Sequence, residues 1–176
     1  MKKIPLLLSC LSAIAFISCG KETPQENSST ETENSLQALI LQQAPEGAVE
    51  VAHIRKTAKE GDSVTIKGKI MGSREPFVDG HAIMLIGDPN KITTCDLNHD
   101  DACPTPWDVC CDDPDTIKNS IVSIQAIGDD GNLVKEGFRG LAGIKELTHV
   151  VVTGTVANGS TANNMQINAS GIYVQP

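Results

Sequence analysis

The chain has 176 residues, and its 22 acidic residues outnumber its 14 lysines and arginines, which gives a net charge of −8. Such a chain repels phosphate backbones at long range, which weighs against nucleic acid as a partner. Aromatic residues make up only 3% of the chain. The core must therefore consist mostly of aliphatic residues, and the β-branched runs and frequent glycines favour a β-rich fold with many turns.

The first residues predict an export signal. Lys2 and Lys3 form a short basic start, and residues 4–17 are largely apolar but too few for a comfortable membrane span. The four residues that end at Cys19 resemble the lipobox of bacterial lipoproteins, although Phe16 stands where that family prefers leucine. The resemblance implies cleavage before Cys19 and acyl chains on that cysteine, which would hold the protein on a bilayer.

Two alternatives to lipidation at Cys19 stay open. Residues 7–10 form a rival lipobox that ends at Cys10, but cleavage there would leave an apolar region of about six residues, below the usual length. The signal could also be an ordinary secretory one. In lineages that sort lipoproteins by the residue after the cysteine, Gly20 permits delivery to the outer membrane. We therefore expect a cell-envelope protein, lipid-anchored at the outer membrane and facing the periplasm or the cell surface.

The leader is followed by a predicted tether. Residues 20–35 contain no large apolar residue, so they cannot bury enough surface to offset the entropy of ordering the chain. Residues 36–41 are apolar and predict a short helical turn that docks on the domain. The predicted organisation is a signal peptide over 1–18, a lipidated cysteine and tether over 19–46, and one domain over 47–176.

Hydrophobic periodicity predicts the elements of that domain. A helix is expected over 48–60, because apolar residues recur there at helical spacing and Gly61 follows them. A shorter helix, about one turn long, is expected over 141–147, and Gly171 suggests an irregularity in the last strand. Strands are expected over 62–72, 82–86, 120–127, 150–156 and 165–174.

The order of these elements resembles the OB-fold, a five-stranded Greek-key barrel of β-β-β-α-β-β order. Residues 61–70 resemble the entry into its first strand, and residues 147–156 resemble its junction between helix and fourth strand. The resemblance covers about residues 49–174 and extends to OB-like lipoproteins of bacteria. It implies an all-β domain with short helices, preceded by a helix, with a long loop between strands 2 and 3. Another small antiparallel sandwich or barrel stays open.

That long loop is the richest stretch in chemically specific groups. Residues 95–115 read CDLNHDDACPTPWDVCCDDPD and hold four of the six cysteines. Because export implies an oxidising compartment, two disulfides are the first prediction. The adjacent Cys110 and Cys111 are expected to bond to separate partners, Cys95 and Cys103, in either connectivity.

Other readings of the loop stay open. The four thiolates, with His99, could bind zinc or copper, although the paired CxxC spacing of zinc ribbons is absent. Asp96, Asn98 and Asp100 match the first half of a calcium-loop series, but the later positions exclude an EF-hand. Trp107 could stack on a ligand or pack over the cysteines. Thiol redox catalysis is disfavoured, because the adjacent cysteines do not form CxxC and lie among aspartates.

No signature of a known reaction is present. The first hypothesis is a non-catalytic, lipid-anchored binding or interaction module for an unknown protein or small molecule, with the 95–115 loop as the contact and no cofactor other than possible calcium. The second is a metal-binding or redox accessory protein that uses the same loop. The third, a nucleic-acid-binding OB domain, rests on fold analogy alone, because the second and third predicted strands carry no aromatic residue.

We expect the exported protein to begin at Cys19 and to carry acyl chains there. Intact-mass measurement checks this, because lipidation adds fatty-acyl mass to a chain whose leader has been removed. A mature mass without acyl groups would remove the predicted anchor.

Overall fold

Five strands close into a barrel in residues 36–98 and 103–176, the parts of the chain that the computed structural model describes. A further two-residue strand, β1, runs parallel to β2 beside the barrel. The prediction of a mostly β domain built on a closed five-stranded barrel is confirmed. The strands are β1 (Val49–Glu50), β2 (Ser63–Ile70), β3 (Ile83–Gly87), β4 (Ile121–Gln125), β5 (His149–Val156) and β6 (Gln166–Val174).

The strands lie around the barrel in the order β2, β3, β4, β6, β5, and β5 pairs back onto β2. The β2–β5 pairing is antiparallel and runs along nearly all of β2, from Ser63 opposite Thr155 to Lys69 opposite His149. β4 and β6 pair in parallel, and the other barrel pairs are antiparallel. Each of these five strands therefore pairs with a neighbour on both sides.

The last strand contains the predicted irregularity. Thr153 of β5 pairs with Gly171, whereas the next residue, Gly154, pairs with Ala169. Ser170 is therefore an extra residue on β6, which makes a β-bulge. Such a bulge bends the strand and increases its twist, as barrel closure requires.

The helices are shorter than predicted. α1 covers Val51–Thr57, because Val49 and Glu50 pair with β2 instead of extending the helix. The helix expected over 141–147 is a single 3-10 turn, Leu141–Gly143. Ala142 and Leu147 both have positive φ angles, of 48° and 66°. Residues in the left-handed conformation do not continue a right-handed helix, so the segment does not extend beyond a single turn.

A second α-helix, α2 (Pro114–Lys118), was not predicted. Asp113 caps it, because its carboxylate accepts a hydrogen bond from the Thr116 backbone N–H at 3.0 Å. Proline at the first helical position is favourable, since it has no N–H group to leave unpaired. Another 3-10 turn, Cys95–Leu97, lies in the cysteine-rich stretch.

Aliphatic side chains fill the barrel, as the composition predicts. Phe138 is the largest fully buried residue. The segment before the domain docks as expected: Leu36 is buried, and Leu41 N–H and the Leu39 carbonyl both hydrogen-bond to the backbone of Ile172 in β6. The barrel interior contains, among others, Ile66, Ile70, Met84, Ile86, Val122, Ile124, Val150, Val152, Ile167 and Ile172.

The predicted signal peptide, Cys19 and tether lie outside the described residues, as do His99 and Asp100. Within residues 36–98 and 103–176, no helix is long and apolar enough to cross a bilayer.

We predict that Gly154→Ala destabilises the barrel by about 1–3 kcal/mol, because the added methyl group would overlap its neighbours. A Cβ at this position would lie 2.7 Å from Ile167 Cγ2 and would also meet the carbonyl oxygen of Asn168. Gly137→Ala is the matched control, since its nearest atom would be 4.0 Å away. Chemical denaturation of both variants measures the change, and equal free energies of unfolding would contradict the prediction.

Candidate metal centre

The segment between β3 and β4, described over residues 88–98 and 103–120, packs against the outside of the barrel. It forms a second apolar cluster, separate from the barrel interior, around Met71, Ile92 and Val109. Ile121 of β4 joins this cluster, whereas its neighbour Val122 points into the barrel. Side chains alternate along β4, so one face of the strand packs in the barrel interior and the other packs against the segment between β3 and β4.

Buried Asp88 fixes the start of the segment. Its carboxylate accepts hydrogen bonds from the backbone N–H groups of Ala52 in α1, at 3.1 Å, and Asn90, at 3.0 Å. Its own N–H donates to the carbonyl of Ser120, where the segment returns to β4. One side chain and its backbone therefore tie together both ends of the segment and α1.

Trp107 attaches the segment to the chain that follows β2. Its indole N–H donates to the carbonyl oxygen of Arg74 at 2.8 Å, and its own carbonyl accepts from Gly72 N–H at 3.2 Å. Trp107 is half-buried. The backbone thus satisfies the polar group of this half-buried side chain and fixes the position of the ring.

Two arms of the segment run side by side. The N–H groups of Cys95 and Asp96 donate to the carbonyls of Asp108 and Pro106, each at 2.9 Å. Farther along, the N–H of Thr93 donates to a carboxylate oxygen of Asp112 at 2.6 Å. This pairing brings cysteines distant in sequence to the same place.

Three of the four cysteines converge where the arms meet. The sulfur atoms of Cys95 and Cys110 are 3.8 Å apart. Those of Cys95, Cys110 and Cys111 all lie within 4.8 Å of one another. Cys103 is a hydrogen-bonding neighbour of the Cys95 thiol, and its sulfur lies 3.3 Å from Thr105 Oγ1. The two arms thus gather three of the thiols singled out in the sequence, with the fourth beside Cys95.

No two of these cysteines form a disulfide in the described residues. A disulfide bond is about 2.05 Å long, whereas the Cys95 and Cys110 sulfur atoms lie 3.8 Å apart. The structure therefore does not support the predicted disulfide pairs.

Burial separates Cys95 from the other thiols. Its residue is 6% exposed, while Cys110 and Cys111 are exposed. Burial raises the pKa of the Cys95 thiol, and its hydrogen bonds with Cys103 and Cys110 and their charges raise it further. A thiolate at Cys95 is therefore unfavourable unless a cation neutralises it.

Two of the three predicted calcium ligands lie in the described residues, so the calcium site stays a prediction. Asp96 faces the ammonium group of Lys69, at 3.9 Å from carboxylate oxygen to nitrogen, and Asn98 is exposed. Asp100 lies outside the described residues. In residues 36–98 and 103–176, Cys95, Cys110 and Cys111 are the group of three acidic, histidine or cysteine side chains close enough to share a metal ion.

Sequence reasoning missed Lys69 as part of this region. The alternation along β2 places it on the outer face, where the pattern predicts contact with solvent. Instead, its side chain is only 11% exposed, because the cysteine-bearing segment covers it. Its ammonium group donates to Thr94 Oγ1 at 3.0 Å. No local pattern signals this burial, since the cover comes from residues more than 20 positions away.

No protein-family model, curated protein or solved structure matches this chain.

We predict that the stability of the metal-free, reduced protein falls as pH rises above about 8.5, where an unperturbed thiol ionises. The folded state holds the Cys95 proton to higher pH than the unfolded state, because its pKa is raised. The unfolded state then binds fewer protons, so alkaline pH favours unfolding. Denaturation with chelator and reductant present measures this between about pH 8 and 10. An equal pH dependence in Cys95→Ala would contradict the assignment.

Proposed function

We propose that this protein is a lipid-anchored module of the cell envelope whose cysteine loop binds a soft divalent metal ion, with zinc as the best fit. Its ligands are Cys95, Cys103, Cys110 and Cys111. The observation that carries the proposal is the convergence of the Cys95, Cys110 and Cys111 sulfur atoms from two arms of one loop, all within 4.8 Å of one another. Cys103, a neighbour of the Cys95 thiol, is proposed as the fourth ligand. The module is non-catalytic, and the metal fixes the shape of the loop through which it contacts its partner.

The spacing of the sulfur atoms supports zinc. In a tetrahedral site with Zn–S bonds of about 2.3 Å, neighbouring sulfur atoms lie about 3.8 Å apart. The Cys95 and Cys110 sulfur atoms lie 3.8 Å apart. Four thiolates also form a soft, all-sulfur ligand set, which suits zinc or Cu(I) and does not suit calcium.

A metal also gives the loop a source of stability. The apolar cluster beneath it consists of three buried residues and two partly buried ones, Ile117 and Ile121. Burial of so few apolar side chains contributes little stability to a long, polar, acidic segment. Every residue that is ordered costs backbone entropy, and the cluster offsets only part of that cost. A structural zinc site contributes its binding free energy to folding and would hold the two arms together.

We further infer that the barrel is an OB-fold. β2 pairs with both β3 and β5, and β4 closes onto β6 in parallel, which supports a five-stranded Greek-key barrel. OB-folds bind ligands on the face of their second and third strands. The corresponding strands here are β3 and β4, and the cysteine loop packs on their outer side at Gly87 and Ile121. The loop thus occupies the position where a partner would dock.

The cysteine loop over β3 and β4 also argues against nucleic acid as a partner. The loop carries seven aspartates between residues 95 and 115. A negative surface over the usual binding face repels phosphates. A protein or small-molecule partner of the loop fits the charge better.

Lipidation at Cys19 would place this module at a membrane surface. Docking of residues 36–41 on the barrel is consistent with a tether formed by the residues before them. The barrel would then stand at the outer membrane, where its loop can meet partners in the periplasm or outside the cell.

We expect the full mature chain, purified with reductant, to bind about one zinc ion per molecule. Elemental analysis measures the metal. Cobalt substitution should give thiolate charge-transfer absorption and tetrahedral d–d bands. Cys110→Ser should weaken binding at least about tenfold, because it removes one ligand. Asp115→Asn is the control, since it removes an exposed acidic group of the same loop and should not change the affinity.

Thiol counting in denaturant distinguishes the proposed metal site from two disulfides. A chain whose four loop cysteines react with thiol reagent after metal removal supports the proposal. A chain without metal and without reactive loop thiols, even when isolated without exposure to air, would contradict it and return the loop to two disulfides.

A further inference from the structure

Two lysines on the same face of β2 have different surroundings. Lys67 lies in the open, with its side chain 47% exposed and its ammonium group 3.1 Å from Glu50. Lys69, two residues on, is covered by the cysteine loop and is only 11% exposed. Burial of an ammonium group is costly unless nearby groups compensate its charge.

The contacts of Lys69 within residues 36–98 and 103–176 compensate that charge only in part. Among those residues, its ammonium group donates one hydrogen bond, to Thr94 Oγ1 at 3.0 Å, and lies 3.9 Å from a carboxylate oxygen of Asp96. An ammonium group has three N–H donors, and a separation of 3.9 Å is too long for a hydrogen bond. The Asp96 carboxylate is also 30% exposed, so water shares its charge.

The contacts of Lys69 place its ammonium group close to the cysteine cluster. Thr94 and Asp96 are the residues on either side of Cys95, the buried thiol of the cluster. Lys69 therefore lies beneath the turn that carries Cys95. A divalent ion with four thiolates has a net charge of −2, and a buried positive charge beside it lowers its energy.

We propose that Lys69 is the buried counter-cation of the metal site and favours its closed, four-thiolate form. A form with three thiolates and a water molecule carries one negative charge less, so Lys69 stabilises it less. The ligand it selects is a soft divalent cation in a closed site, which fits a structural role better than a catalytic one. This inference rests on the proposed metal-binding function.

The first test replaces the charge by an apolar side chain of similar length. Lys69→Met should weaken zinc binding by the full mature chain by about 10–100-fold, the usual effect of losing a group that supports the ligands. Lys67→Met is the matched control on the same strand face, and its affinity should stay within about twofold of wild type, because exposed ion pairs contribute little. Competition with a chromogenic chelator measures both affinities at one pH.

The second test separates charge from simple support of the loop. Asp96→Asn removes a negative charge near Lys69, so an electrostatic role predicts equal or tighter zinc binding. If Lys69 and Asp96 only hold the loop in shape, both variants should weaken binding alike. The d–d bands of bound cobalt report whether the site stays tetrahedral in each variant.

Weakening by Lys69→Met without weakening by Asp96→Asn supports the inference. Wild-type affinity in Lys69→Met, or equal losses in the two variants, would overturn it. If Lys69→Met does not fold, Asp96→Asn alone decides, because weakened binding in that variant contradicts a counter-cation role and equal or tighter binding supports it. A wild-type chain that binds no zinc overturns the proposed function together with this inference, and that failure appears before any variant is made.

Discussion

The pairing of β2 with β5 is the interaction on which the rest of the structure depends. β2 pairs with β5 along nearly all of its length and with β3 at its far end, so it joins the two halves of the barrel. Without this closure, β2 and β5 would each present a free edge, and the aliphatic interior would open to water. The close approach at Gly154, the bulge at Ser170 and the docking of residues 36–41 on β6 all depend on that closed shape.

Closure also provides the outer surface on which the cysteine loop folds. A long acidic segment with little apolar content cannot order itself, because its entropy cost exceeds what a few buried side chains return. Here Asp88 ties its ends, Trp107 attaches its middle to the chain after β2, and backbone hydrogen bonds align its arms. The convergence of the thiols is a consequence of these attachments, since the cysteines are up to 16 positions apart in the chain.

The aspartates and cysteines of the loop favour the binding of a cation. The chain is acidic overall, and the loop adds aspartates and four potential thiolates to one surface. Burial keeps the Cys95 thiol protonated in the absence of metal, while Lys69 places a positive charge beneath the same turn. Uncompensated negative charge would destabilise such a loop, and a bound divalent ion would relieve it.

Much of the fold could be predicted from local patterns. Alternating aliphatic residues predicted the five strands, glycine marked the bulge on β6, and apolar residues 36–41 predicted docking. The sequence also contained the signal for α2, an aspartate followed by proline, although it was not recognised. The short helix expected over 141–147 is limited to the turn Leu141–Gly143, because Ala142 and Leu147 take left-handed conformations, which neither residue type predicts.

The sequence by itself determined that four cysteines would lie in one acidic loop outside the barrel strands, because residue type and strand periodicity are local properties. Only the tertiary structure decided that the Cys95 and Cys110 sulfur atoms lie 3.8 Å apart, beyond bonding distance, and that Lys69 is buried against the residues that flank Cys95. The physical reason is the same in both cases. Distances between side chains on separate arms, and the cover over one face of a strand, depend on how distant segments pack, and no periodicity along the chain contains that information.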